Sequence, residues 1–277
     1  MKDRTVKMKI CRGESPGSVI YIPHGGGPWP LLGDPRHINL IEFLKAVPGL
    51  LTQPSAILVI SAHWEEQHPT LISAASPPLF YDYYGFPQET YSISYSAPGN
   101  PQLAREILHI FEENGIQAAL EGSRGYDHGL FVPLKLMYPE AVIPCIQLSL
   151  LDSLNPVEHI RIGTVLRDLQ EENLLIIGSG SSFHNLTAFR NNTAGEENYW
   201  NETFENWLVE TLTGDHLSEK ERRTRLEHWV DAPFAQYCHP REEHLLPLHV
   251  CYGVAGCPAK RVIEVEFMGK KTSSYIW

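Results

Sequence analysis

The chain lacks what would commit it to a polyanion, a membrane or a disulfide framework. Its 277 residues carry 22 lysines and arginines against 33 aspartates and glutamates, for a formal charge of −11. Nucleic acid and anionic lipid select basic surfaces, so neither is an expected partner. No run of about eighteen apolar residues occurs, which leaves no candidate transmembrane helix. Cysteine is sparse, with five residues at Cys11, Cys145, Cys238, Cys251 and Cys257. They are odd in number and scattered, and no Cys-x-x-Cys pair exists. A disulfide scaffold and a cysteine zinc knuckle are therefore unsupported, and reduced thiols in the cytoplasm are the expectation. No apolar core of a secretory signal follows the early lysines and arginines, so residues 1–17 read as a flexible leader. No repeat or low-complexity linker divides the rest, and residues 18–277 read as one domain.

What is present is an alternation of apolar runs and helical patterns. Strands are expected at Ser18–Ile22, Ala56–Ser61, Thr70–Ser73, Tyr91–Tyr95, Ala141–Leu150, Leu174–Gly178 and Arg261–Met268. Helical patterns fall at Ile38–Leu44, Gln102–Asn114, Pro156–Glu172, Asn198–Leu212 and Glu219–Trp229, with Gly115 as a stop. Strands separated by helices predict an α/β fold, a largely parallel central sheet flanked by helices.

The histidines carry the chemistry. Of thirteen, His37, His109, His159, His216 and His228 lie in polar or amphipathic contexts and read as surface or half-buried side chains. His24 sits in Pro23-His24-Gly25-Gly26-Gly27-Pro28, directly after an apolar strand, among glycines that let a ligand approach closely. His63 repeats the arrangement in Ser61-Ala62-His63-Trp64-Glu65. His128 lies in Tyr126-Asp127-His128-Gly129-Leu130, and His184 follows the strand ending at Gly178, in Ser182-Phe183-His184-Asn185. A last cluster, Cys238-His239-Pro240-Arg241-Glu242-Glu243-His244-Leu245, contains two histidines that cannot share one helix face. His244 opens an apolar stretch and can look inward; His239 reads as an orienting residue and His249 as a packing or surface one. Strand ends of an α/β sheet are where such folds bind ligands. Several imidazoles meeting there suit a borderline metal ion with open positions, and proton transfer near neutrality. These residues alone do not separate hydrolysis from oxygen chemistry.

Taken in order, the five histidine motifs resemble the class III extradiol ring-cleavage dioxygenases of the LigB type, in their 4,5-DOPA dioxygenase branch. The resemblance extends from about Val19 to the C-terminus and includes Phe80-Tyr81-Asp82-Tyr83-Tyr84-Gly85. It implies a LigB-like catalytic domain over 18–277, with metal ligands His24, His63 and His244. His244 stands where many class III enzymes carry a glutamate, and Glu242 and Glu243 lie close by. The resemblance further implies His184 as the acid–base residue and His128 as a contact to substrate or oxygen. Tyr126 and Trp29 are expected to meet a flat phenolic ring. Iron(II) is the implied cofactor, zinc(II) an alternative occupant, and a catechol and dioxygen the implied partners. A homo-oligomer is compatible with the sequence. A zinc hydrolase on the same histidines and a Memo-like binding protein are the competing readings. Arg124 and Lys135, which flank His128, are candidate partners for a substrate carboxylate.

Overall fold

The branched apolar runs Val19–Ile22, Ile57–Ile60 and Leu174–Ile177 are buried to within 2 % exposure and lie side by side in one sheet. The computed structural model describes residues 7–10, 19–167, 169, 173–191 and 195–277. Its strands are β1 (Lys7–Ile10), β2 (Val19–Pro23), β3 (Ala56–Glu66), β4 (Thr70–Ile72), β5 (Ala119–Glu121), β6 (Cys145–Leu151), β7 (Leu174–Gly180), β8 (Arg261–Phe267) and β9 (Lys270–Ile276). They form one sheet in the order β1-β8-β9-β2-β7-β3-β6-β4-β5. The central run from β2 through β7 and β3 to β6 is parallel. Antiparallel pairs flank it at β1–β8, β8–β9, β2–β9 and β4–β6. The expected parallel sheet is thus its centre, and the sheet as a whole is mixed.

The helices are α1 (Ile38–Ala46), α2 (Pro101–Glu113), α3 (His128–Met137), α4 (Pro156–Val165), α5 (Leu186–Asn191), α6 (Glu196–Thr213), α7 (Glu219–Glu227), α8 (Ala235–Cys238) and α9 (Leu246–Ala255). Alternation along β7 places them on two faces. Gly178 lies against Cys251 of α9, whereas the Ser179 hydroxyl donates to the Gly129 carbonyl of α3. Helix α2 starts at its Asn100 cap, whose side chain accepts the Leu103 N–H, and stops before Gly115 at φ +66°.

Three expectations are corrected. Tyr91–Tyr95 alternates like a strand but joins no ladder. Its carbonyls are taken instead by side chains: Tyr81 Oη donates to Ile93 O and Lys135 Nζ to Ser94 O. The helix from Pro156 ends at Val165, short of Glu172; residues 168 and 170–172 lie outside the described ones. Lys7–Ile10, placed in the leader, pair antiparallel with β8, while the leader's other residues lie outside the described ones.

The topology decides where the site forms. The chain lays down β2 and β3 with a slot between them that β7 fills much later. Three parallel carboxyl ends therefore meet at one edge, and His24, His63 and His184 all lie at or just beyond them.

Candidate active site

His24 leaves β2 into a turn that only glycine satisfies comfortably. Gly25 has φ +89°, and a Cβ there would press on Pro30 and Leu40. The turn is braced by His37, whose Nε2 accepts the Gly26 N–H at 3.2 Å while Nδ1 faces Asp34. His37 and His159, expected near the surface, are both completely buried. Each is a backbone brace: His159 Nε2 accepts the Leu151 N–H, and its Nδ1 donates to Asn155 O.

Five imidazoles converge. His24 and His63 have ring centroids 4.8 Å apart, His63 and His128 3.9 Å, and His63 and His244 4.9 Å. His184 stacks on His244 at 3.3 Å with planes 16° apart. The ring nitrogens of His24, His63 and His244 include one set lying within 4.8 Å of one another, a spacing suited to one metal ion.

Each ring is held at its far side. The Ser179 hydroxyl gives its proton to Gly129 O, so its oxygen accepts from His24 Nδ1 at 3.0 Å. This fixes the tautomer and leaves Nε2 of His24 a lone-pair donor toward His63 Nε2, 3.0 Å away. Asp82 receives Nδ1 of His128 at 2.8 Å on both oxygens and lies 3.7 Å from Nδ1 of His63. Glu243 receives Nδ1 of His244 at 2.8 Å and faces Nδ1 of His184 at 3.2 Å. Two facing ring nitrogens at 3.0 Å need a proton or a cation between them. The second carboxylate oxygen of Glu243 accepts no hydrogen bond and pairs with Arg241 Nη1 at 3.5 Å.

The charge state suits a metal. Burial, reinforced by the neighbouring imidazoles, pushes His24, His63 and His244 well below the ordinary histidine range. They are neutral at pH 7, the form that ligates. Burial raises Asp82, but its hydrogen bond and attraction to His128 outweigh that and hold it ionised. The donor set of neutral nitrogens backed by carboxylates fits a divalent ion.

The remaining expected residues divide. Trp29 lies on the rim, its ring 5.3 Å from Phe86, which meets Tyr83 at 5.3 Å; Tyr83 in turn meets His128 at 5.8 Å. Tyr126 is corrected: it is fully buried, and its hydroxyl donates to Cys145 O at 2.7 Å, so it is a core residue. Arg124 stands beside His63, donating to its carbonyl at 3.4 Å between the rings of Trp64 and Phe80. Lys135 is spent on Ser94 O. His239 is buried and bonds Ser182 O, and His249 bonds Leu226 O, in keeping with orienting and packing roles. The sequence reading missed Asp82 and Ser179 as braces and passed over Glu243 as one. An acid in a tyrosine-rich segment between two histidine motifs was the available signal for Asp82.

Residues 30–276 match the family described as the catalytic LigB subunit of aromatic ring-opening dioxygenase. A relative named dioxygenase tasH, from Hapsidospora irregularis, is 40% identical, covering 94% of this chain and 85% of its own. Proteins named 4,5-DOPA dioxygenase extradiol are 35% identical in Mirabilis jalapa, over 86% of each chain. In Escherichia coli K12 one is 32% identical over 90% of this chain and 89% of its own. The fold matches the crystal structure of an uncharacterized Escherichia coli K12 protein with TM-score 0.71 at 23% identity, covering 94% and 99% of the two chains. The chain belongs to the LigB family of aromatic ring-opening dioxygenases.

Proposed function

We propose that the protein is a non-haem iron(II) extradiol dioxygenase that opens a catecholic ring, that of DOPA or a related catechol, to a semialdehyde. The observation that carries this reading is the three-nitrogen set of His24, His63 and His244, with His128 and His184 standing against it. The names of the plant and bacterial relatives support a DOPA-like substrate.

What iron(II) supplies when bound is a common seat for catechol and dioxygen and a path for electrons between them. The protein's own residues manage protons and charge. His184 takes a phenolic proton as the catechol binds and later returns one to the oxygen that leaves. Glu243 beside its Nδ1 keeps the ring turned for that exchange. His128, backed on Nδ1 by Asp82, presents Nε2 to negative charge building on oxygen. Trp29, Phe86 and Tyr83 offer an aromatic wall for the ring. Both atoms of dioxygen end in the product, which for DOPA can cyclise without further catalysis. A reducing cytoplasm suits iron(II) and the free thiols Cys145, Cys238, Cys251 and Cys257.

The test is anaerobic loading with iron(II), addition of L-DOPA or catechol, and admission of oxygen. One oxygen consumed per catechol, with loss of at least about 100-fold in kcat for His184→Ala, the lower end of what acid–base catalysis contributes, is expected. No uptake across a catechol panel at full iron loading would overturn the reading. Hydrolysis supported by zinc alone would replace it with the hydrolase reading.

A further inference from the structure

Beneath the site lies a carboxyl group that none of these roles uses. Glu205 of α6 is completely buried. Its Oε2 accepts the Ser273 hydroxyl of β9 at 2.6 Å. The Ser182 hydroxyl oxygen accepts the Ser273 N–H at 2.8 Å, so Ser273 links Glu205 to Ser182 through its hydroxyl on one side and its backbone on the other. The other carboxyl oxygen of Glu205, Oε1, has no partner.

Ser182 lies two residues before His184, in a segment with neither helix nor strand to hold it. That segment is held by Ser181 Oγ, which donates to Phe183 O at 2.7 Å, by Asn185 Nδ2, which donates to Tyr237 O at 2.7 Å, and by further ties. The Ser182 carbonyl accepts from His239 Nε2 at 2.7 Å, and the His184 N–H donates to Cys238 O at 2.9 Å. The Ser181 N–H donates to His244 O at 3.0 Å. The Glu205–Ser273–Ser182 linkage joins the segment to the sheet and to α6 together. A buried acid is costly to keep, and the anchoring of this segment is what its position accomplishes.

We propose that Glu205 is a positioning residue for His184, setting the acid–base imidazole through Ser182. The role rests on the reading of His184 given above, but the placement of the ring can be tested without turnover. A Glu205→Gln side chain keeps the shape and both hydrogen-bonding capacities. Glu205→Ala removes the tie, and Ser182→Ala removes it with almost no change of volume.

The experiment compares the three variants with wild type by nitrogen-15 NMR of the histidine rings at fixed pH, alongside kcat and KM for a catechol. In Glu205→Ala and Ser182→Ala the His184 ring signals shift while those of His24 and His63 stay. In Glu205→Gln they return to the wild-type positions. Displacement of an acid–base group should cost about 10- to 100-fold in kcat. KM and metal content should stay constant, and Glu205→Gln should restore kcat. If Glu205→Ala does not fold, Ser182→Ala carries the comparison. Unmoved His184 signals in Ser182→Ala would overturn the proposal, as would Glu205→Gln shifting them as far as the loss of the tie. If no catechol is turned over at all, the reading of function fails, while the ring signals still decide whether Glu205 places His184.

Discussion

At the scale of single residues, the site is a set of nitrogens whose protons are decided by their neighbours. Asp82 and Glu243 each serve two rings, so each supports more than one site residue. Carboxylates behind metal-binding histidines are typically worth 10- to 100-fold in metal affinity. Asp82→Asn and Glu243→Gln are each expected to weaken metal binding by about that factor, read by competition with a chromogenic chelator. Glu205 yields a separate prediction in stability. Burial raises it from its ordinary 4.5 to about 7, so the folded protein holds a proton there that the unfolded chain releases. The stabilisation this proton provides is full below pH 4.5 and is lost as pH rises to about 7. Across that window wild type should lose about 3 kcal/mol relative to Glu205→Gln, measured by urea unfolding at several pH values. Equal slopes for the two proteins would contradict the buried, protonated carboxyl. The partners of Asp82 and Glu205 are not legible in the sequence. Asp82 meets His128 across 46 positions and Glu205 meets Ser273 across 68, so folding alone pairs them. Tyr126 shows the converse. Two residues from His128 in the chain, it turns into the core because its hydroxyl finds the Cys145 carbonyl.

At the scale of elements, strands were the legible part. Val19–Ile22 and Leu174–Ile177 are branched, uninterrupted and short, which is how a strand buried on both faces reads. The histidines that follow such strands were legible for the same reason, since a strand's carboxyl end delivers whatever comes next. Tyr91–Tyr95 misled because its alternation comes from tyrosine packing, with its carbonyls bonded to side chains. α3 and α9 went unread because both are apolar nearly all round, so no face periodicity marks them. One close approach between elements is essential to the site. A Cβ on Gly180, the last residue of β7, would strike the His244 backbone. Gly180→Ala should therefore displace His244, costing about 1–3 kcal/mol of stability and weakening metal binding with it. Chemical denaturation and metal titration of one sample test both, and unchanged metal affinity would show that His244 tolerates the shift.

At the scale of the whole molecule, a mixed sheet brings β2, β7 and β3 together so that one edge collects histidines from distant parts of the chain. The parallel centre was foreseen from strands alternating with helices. The antiparallel flank of β8 and β9 was only half foreseen, because β9, with Lys270, Thr272, Ser273 and Ser274, has little apolar pattern. Those polar residues are buried, and Ser273 donates its hydroxyl to Glu205. No helix among the described residues is long and apolar enough to cross a membrane. On the proposed reading, an ion held by His24, His63 and His244 ties β2, β3 and the segment before α9 together. Iron or zinc should therefore raise the melting temperature, in proportion to the logarithm of free metal above its dissociation constant. Differential scanning fluorimetry of wild type and His24→Ala checks this, and the variant should show little of the rise. The most direct test of the central claim is ring opening by the iron-loaded protein under isotopically heavy dioxygen, with the product examined by mass spectrometry. Incorporation of two heavy oxygen atoms into one opened ring is the predicted result. A product carrying no heavy oxygen, or an intact ring after oxygen has been consumed, would contradict it.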